Sequence, residues 1–191
     1  MASGISQVLS LQHIKGGNKM SKSLVIYYSR RGQNYFGGSI RSIERGNAEI
    51  LSEYIHEAVD ADLFEVDTIK PYSEDYTTCT EEAMDELKAK ARPELKAYLE
   101  SIDDYDTIFV VGPCWWGTYP MAMFSQLERL DFNGKRVVPL MTHEGSGMGH
   151  SVQDLKKICK GAVFGESLAV RGSDTSRSKS KVQSWAKKNV G

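Results

Sequence analysis

The chain predicts a three-layer α/β fold: a five-stranded parallel sheet in the order 2-1-3-4-5, with helices on both faces. Three observations carry that prediction. Short runs rich in β-branched and aromatic residues alternate along the chain with longer segments whose apolar residues recur at helical spacing. Strict alternation of this kind implies right-handed crossovers and parallel strands. Three of the runs are apolar almost throughout, as interior parallel strands must be, whereas one alternates and reads as an edge. No internal repeat, low-complexity tract or linker divides the chain.

The first strand is SLVIYYS, residues 23–29. A helix follows, its stripe formed by Ile50, Leu51, Tyr54, Ile55 and Ala58; DLFEVD, residues 62–67, is the alternating edge strand. Met84 and Leu87, continued after Pro93 by Leu95, Tyr98 and Leu99, mark the second helical segment. The third strand is DTIFVVG, residues 106–112, followed by a helix through Met123, Leu127 and Leu130. KRVVPLM, residues 135–141, is the fourth strand, and Val152, Leu155 and Ile158 belong to the next helix. AVFGESLAV, residues 162–170, is the fifth, before a last helix carrying Val182, Trp185 and Ala186.

Composition bounds the function. With 191 residues, 40% hydrophobic and 26% charged, the chain fits one globular domain, and a net charge of −1 gives no electrostatic case for nucleic acid. No apolar run reaches the roughly 18 residues of a membrane span. Cys79, Cys114 and Cys159 are odd in number and widely spaced, which indicates neither a disulfide framework nor a zinc site and suits a reducing, cytoplasmic location. Residues 1–20 carry no clear period and read as a disordered or appended leader before a start at Met20, leaving residues 21–191 as the domain.

In open parallel sheets ligands sit beyond the carboxyl ends of the strands, near the switch point between strands one and three. Three loops lie there. The first, SRRGQNYFGGSIRSIERGNAEI, ends in a helix start with Asn47 as the expected N-cap and Glu49 in the first turn. Free N–H groups at such a terminus bind anions, and Ser29, Gln33 and Asn34 could complete hydrogen bonds to a phosphate, with Arg30 and Arg31 offering charge. The same stretch is equally an elongated connection whose asparagine only caps a helix. Neither GxGxxG nor GxxxxGK[ST] is present.

The second loop, PCWWGTYP, sets two tryptophans and a glycine behind a strand. Either they plug the end of the core, or Trp116 offers an aromatic face to a flat ring while Gly117 permits a peptide orientation that answers a ring nitrogen. Cys114 has no basic neighbour in sequence and reads as a small buried hydrophobe. The third loop, THEGSGMGHS, is dense in glycine, which means close backbone approach to something flat or a mobile loop; His143 and His150 lack the clustering of metal ligands, and no metal is assigned.

With SRRGQN, PCWWGTYP and THEGSGMG at the ends of strands one, three and four, and with DFNGKRVVP and PYSEDY elsewhere, the chain from Lys22 to about Lys188 resembles the flavodoxin family in its short-chain form. The resemblance implies a flavodoxin-like fold and non-covalent FMN. It implies phosphate contacts from Ser29, Gly46, Asn47 and Ala48, with Arg31, Asn34 and Tyr35 closing over them. Pro113, Trp115 and Thr118 would frame a loop in which Trp116 stacks on the ring and Gly117 meets N5, and Glu144, Gly145, Ser146 and Gly147 would line the pyrimidine side, with His143 or Met148 covering the second face. Two departures stand out: some sixteen residues separate Ser29 from Gly46, and Ala48 replaces a common threonine. The chain is also nearly neutral, so a large negative face does not select its redox partner proteins, which stay unidentified. The expected function is an FMN electron carrier with no catalytic acid or base; the alternative is an NAD(P)H-dependent FMN or quinone reductase on the same scaffold. A signalling receiver domain of this strand order needs an aspartate at the end of strand three, where Pro113 and Cys114 stand.

Overall fold

The computed structural model describes residues 22–190; the leader expected over residues 1–20 lies outside the described residues. At the centre are three parallel strands buried along almost their whole length: β1 (Ser23–Tyr27), β5 (Thr107–Pro113) and β6 (Arg136–His143). The edge strand β4 (Asp62–Glu65) pairs in parallel with β1. On the far side of β6 lie β7 (Val163–Phe164) and β8 (Leu168–Arg171). The order β4-β1-β5-β6 followed by β7 and β8 is the expected 2-1-3-4-5, with the fifth position filled by two short strands.

Side chains of successive strand residues point to opposite faces, so the sheet makes two cores. Ile26, Ile108 and Val110 pack on one side with Tyr119, with Met123 and Leu127 of α3 (Met121–Leu127), and with Leu155 of α4 (Ser151–Ile158). Val25, Phe109, Val111 and Leu140 pack on the other with Leu51 and Ile55 of α1 (Asn47–Val59) and with Val182 and Trp185 of α5 (Lys179–Asn189). Leu51 and Ile55 are fully buried, each contributing about 1.5–3 kcal/mol of apolar burial. That stripe holds α1 against the sheet and fixes where its first turn lies.

Three elements differ from the expectation. The first loop is no irregular connection: it folds into an antiparallel hairpin, β2 (Gly32–Phe36) and β3 (Ser39–Ile43). Its two-residue turn is Gly37-Gly38, with φ of 61° and 95°, the positive pair that matches the twist of a hairpin and that glycine adopts without Cβ strain. The fifth strand is interrupted. Three residues, 165–167, stand opposite two of β6, a one-residue bulge between the pairs Val137–Phe164 and Leu140–Leu168. The helix α5 satisfies it: Glu166 donates its N–H to Asn189 Oδ1 at 2.9 Å, and its carbonyl accepts from Trp185 Nε1 at 2.7 Å.

The second helical segment also stops early. Helix α2 (Tyr76–Ala89) is capped by Asp75, whose carboxylate accepts from Thr78 N at 2.8 Å, but Leu95, Tyr98 and Leu99 are not helical. Beyond Pro93 the chain runs irregularly because the fully buried Gln126 amide serves it as a backbone partner: Oε1 accepts from Leu99 N and Nε2 donates to Leu99 O. The helical spacing there was a coincidence of apolar residues that insert into the core separately.

All three cysteines are unpaired. Burial pushes the Cys79 thiol up to about 11 and the Cys159 thiol up to about 12, and both are almost inaccessible, whereas Cys114 is half-buried at a strand end. Since the thiolate is the nucleophile, iodoacetamide at pH 8 is expected to label Cys114 first and the other two only as the protein unfolds, read by peptide mass mapping. Fast labelling of Cys159 in the folded protein would contradict the packing around it.

Candidate functional site

The ends of β1, β5 and β6 are brought level by their register, Tyr27 beside Val111 and Pro113 beside Thr142, so their following loops converge. They enclose a crevice of about 250 Å³ lined by Asn34 and Tyr35 of the hairpin, Asn47, Tyr76, residues 113–115, residues 142–146 and Gly172. A larger cavity of about 520 Å³ lies on another face of α2, among residues 68–72 and 91–94, with four carboxylates in its walls. The crevice is the better site for an anionic cofactor, because an open helix terminus borders it and carboxylates do not crowd it.

That terminus is built differently from the expectation. The N-cap of α1 is Gly46, not Asn47, and no side chain of the cap residue bonds the helix. The cap comes from twenty residues upstream: Ser29, at the end of β1, accepts from Glu49 N through Oγ at 3.0 Å. Gly46 sits so close to that hydroxyl that a Cβ there would lie 2.0 Å from Ser29 Oγ and 2.7 Å from Arg30 O. Glu49 N and Ile50 N are taken, by Ser29 and by Gly46 O. Among the described residues the N–H groups of Asn47 and Ala48 have no partner, and Ser29 keeps its hydroxyl proton to donate. Two N–H donors at the positive end of a helix dipole are a phosphate-binding arrangement.

The hairpin wraps this mouth. Arg30 pins its base, Nε donating to Gln33 O at 2.8 Å and Nη2 to Ser73 O and Glu74 O at 2.8 and 2.9 Å. Gln33 Oε1 accepts from Tyr76 N at 2.9 Å, and Asn34 Nδ2 bonds the carbonyls of Arg30 and Gly32. Tyr35 stands 45% exposed, tilted towards Tyr76 at 6.5 Å between ring centroids. Arg31, expected to close over the phosphate, points elsewhere: its guanidinium is held by Glu49 at 3.0 Å and Glu65 at 3.1 Å, two carboxylates that draw it away from the crevice.

The second loop is a tight turn. Trp115 and Thr118 pair across it through N–H to O bonds of 2.8 and 3.2 Å, and both central residues have positive φ, Trp116 at 55° and Gly117 at 86°. A left-handed conformation costs a non-glycine residue about 1–2 kcal/mol. It turns the two indoles apart. Trp115 lines the crevice and is backed edge-on by Tyr28 and Tyr72 at 5.3 and 4.9 Å. Trp116, expected over the ring, is instead aimed at α2, where its Nε1 donates to Thr80 O at 2.9 Å, and it is 49% exposed. Behind the turn the fully buried Tyr119 hydroxyl reaches the carbonyls of Val110 and Leu140, both at 3.0 Å, anchoring the loop's exit to two strands.

The third loop is docked rather than free. Gly117 O accepts from His150 N at 2.8 Å, and Gly149 packs directly on the Gly117 peptide. Asp154 Oδ2 holds His150 Nδ1 at 2.5 Å, and its other oxygen binds Lys157 at 2.8 Å. Burial pushes the Asp154 carboxyl up, but those hydrogen bonds outweigh it and hold it below the usual carboxylate range. His143 Nδ1 accepts from Gly145 N at 3.0 Å; burial and the Arg171 charge lower its pKa, which keeps the ring neutral and able to accept. Residues 143–146 thus present a narrow polar strip opposite Trp115, while Gly147, at φ 60°, lies outside the crevice lining.

A fourth loop was missed. After β8 a 3₁₀ turn, Gly172–Arg177, closes the crevice from the far side: Ser173 N donates to Glu144 Oε1 at 2.8 Å, and Gly172 leaves no space for a Cβ beside the Asn47 amide. Tyr76, at the start of α2, was missed too. The rule that points to strand carboxyl ends applies equally to the fifth strand and would have found Gly172; nothing local marks Tyr76.

With this geometry in view the chain is placed: the flavodoxin family model matches residues 35–189, and the chain belongs to that family. A protein of Bacteroides eggerthii classed as a flavoprotein is 26% identical over 88% of this chain and 98% of its own, with a TM-score of 0.70. Another from Bacteroides uniformis is 27% identical over 88% and 99%, with a TM-score of 0.66. A Lactobacillus acidophilus flavoprotein, solved in complex with FMN, shares the fold at 22% identity, covering 87% of this chain and 99% of its own at a TM-score of 0.57. No curated protein matches the chain.

Proposed function

We propose that the chain binds FMN non-covalently in this crevice and acts as an electron-transfer protein, exchanging electrons with redox partner proteins. One observation carries the reading: the mouth of α1, where the N–H groups of Asn47 and Ala48 have no partner among the described residues, borders through Asn47 the same crevice that Trp115 and residues 143–146 line. The phosphate would be held by those N–H groups, the Ser29 hydroxyl and the helix dipole, with Asn34 and Tyr35 above it. The ring would face Trp115 on one side and the strip from His143 to Ser146 on the other. FMN supplies reversible uptake of one or two electrons when bound, and the protein contributes placement, exclusion of water and the hydrogen bonds around the ring. No side chain is required to move a proton. The solved relative with FMN supports the choice of cofactor. The location is proposed to be cytoplasmic, supported by three unpaired thiols; among the described residues no helix is long and apolar enough to cross a membrane.

Purified protein titrated with FMN is expected to turn yellow with one equivalent bound, quenching flavin and tryptophan fluorescence together, and to release FMN on denaturation. A preparation that takes up no added FMN would refute the reading.

A further inference from the structure

The hairpin beside the helix mouth has an open edge. Strand β3 pairs with β2 alone, and among the described residues no hydrogen-bond partner meets its outer side. Ser39 to Ser42 are exposed without a break. We propose that this edge is an interface, on which β3 of a second copy of the chain pairs in antiparallel, two-fold symmetric register. The inference stands apart from the FMN reading, since no residue of β3 lines the crevice.

The hairpin geometry says which groups the edge offers. A two-residue turn makes Phe36 and Ser39 the closing hydrogen-bonded pair, and bonded pairs then alternate with non-bonded ones. Asn34–Arg41 and Gly32–Ile43 are therefore bonded inward, while Ile40 and Ser42 direct their N–H and C=O groups outward. Such a row of unpaired donors and acceptors is a template for another strand. The side chains add an apolar component: Ile40, 50% exposed, stands directly opposite Tyr35, 45% exposed, on one face of the ribbon.

Symmetry and charge select the register. A two-fold axis normal to the ribbon has to pass where one residue meets its own counterpart. Centred on Arg41 the pairing would oppose two guanidinium groups, and centred on Ser42 it would set Ile40 against Glu44. Centred on Ile40 it sets isoleucine against isoleucine and Arg41 against Ser39, and it extends Tyr35 and Ile40 into one apolar row across both ribbons. Each Ile40 then gives its N–H to the other's carbonyl.

A second copy fits this edge for two reasons. It presents the same donors, acceptors and apolar pair, so the match needs no other sequence. A lone two-stranded ribbon is also marginal in water, and the pairing turns two of them into a four-stranded sheet. The other edges are better guarded: β4 carries a carboxylate at each end, Asp62 and Glu65, and the β7–β8 edge is broken by its bulge. A five-residue strand buries little surface, so the dimer is weak and depends on concentration, below the roughly 1,200 Å² of a standard interface.

Sedimentation velocity on the full chain, from about 10 μM to about 1 mM as suits a weak interface, is expected to show a monomer passing into a dimer. The same dimer is expected with and without FMN, which keeps this outcome separate from the cofactor reading. Ile40→Lys sets like charges across the axis and should weaken the dimer by about tenfold or more, with a urea midpoint matching the parent's because the site is exposed. A second variant tests the register. Across a hydrogen-bonded pair the two Cα atoms lie about 5.5 Å apart, within the roughly 4.4–6.8 Å that a disulfide spans. Mild oxidation should therefore join Ile40→Cys copies through position 40, located by peptide mapping, and leave Ile69→Cys, at a site 53% exposed, and the parent unlinked. A chain monomeric throughout that range, a dimer unchanged in Ile40→Lys, or cross-linking no greater at 40 than at 69 would overturn the inference. The last comparison decides if Ile40→Lys does not fold.

Discussion

Gly46→Ala is expected to destabilise the protein and to weaken FMN binding together. The added Cβ would lie 2.0 Å from Ser29 Oγ, 2.7 Å from Arg30 O and 3.1 Å from Arg30 C. The serine can rotate away only by abandoning Glu49 N, and the Arg30 carbonyl is backbone, which has to shift. Loss of a helix cap costs about 1 kcal/mol and overpacking about 1–3 kcal/mol, so a total of about 2–4 kcal/mol is expected in urea denaturation of the FMN-free protein. Ser29→Ala separates the two effects, since it removes the cap without the collision and should cost about 1 kcal/mol. Displacing the first turn also moves the Asn47 and Ala48 N–H groups. Hydrogen bonds to a charged group contribute about 1.5–3 kcal/mol, so FMN affinity in Gly46→Ala should fall by on the order of tenfold to a hundredfold. A Gly46→Ala protein as stable as the parent, with the same FMN affinity, would show that this close approach does not shape the helix mouth.

The distance between Ser29 and Glu49 explains why that mouth was only half legible in the sequence. Asn47 was the natural local choice of cap, and the actual cap arrives from another element, through a contact that no short-range pattern encodes. The sheet was easier to read because burial writes itself into composition: β1, β5 and β6 are enclosed on both faces and are apolar almost throughout. The hairpin β2-β3 left no such trace. Gly32–Phe36 alternates only between half-buried and exposed, and Ser39–Ile43 is exposed except for Ile43. Its one sequence signal was Gly37-Gly38 between the two strands. The tryptophans mark a different limit. Two identical side chains in succession point apart, and which one faces the crevice depends on a left-handed φ at Trp116 that local preference disfavours. The sequence located the turn and its aromatic character; the assignment of Trp115 to the crevice and Trp116 to α2 came from the backbone.

Gly149→Ala should be the most damaging of the substitutions in the third loop, and a series of three glycines tests why. A Cβ at Gly149 would lie 2.2 Å from Gly117 O, 2.7 Å from Gly117 C and 2.8 Å from Gly117 Cα, all backbone, and the residue has a φ of 52°. Left-handed strain of about 1–2 kcal/mol and displacement of a packed neighbour at about 1–3 kcal/mol give an expected loss of about 2–5 kcal/mol. At Gly147 φ is 60° but nothing lies within 4 Å of the added atom, so alanine there should cost only the conformational part, about 1–2 kcal/mol. At Gly145 there is open space and no positive φ, and alanine should change stability by less than about 0.5 kcal/mol. Denaturation curves for the three variants therefore separate strain from collision. The consequence for the site follows from what Gly149 holds: His150 N–H is bonded to Gly117 O, and Thr118 N–H to Trp115 O, so the Gly117–Thr118 peptide is tied at both ends. Pushing the third loop off the turn frees one end and lets Trp115 and residues 143–146 move relative to each other. FMN affinity should then fall in Gly149→Ala and stay close to the parent in Gly145→Ala. Equal stability losses at 147 and 149 would mean that the contact between the two loops contributes nothing, and that the slot is held open by the sheet alone.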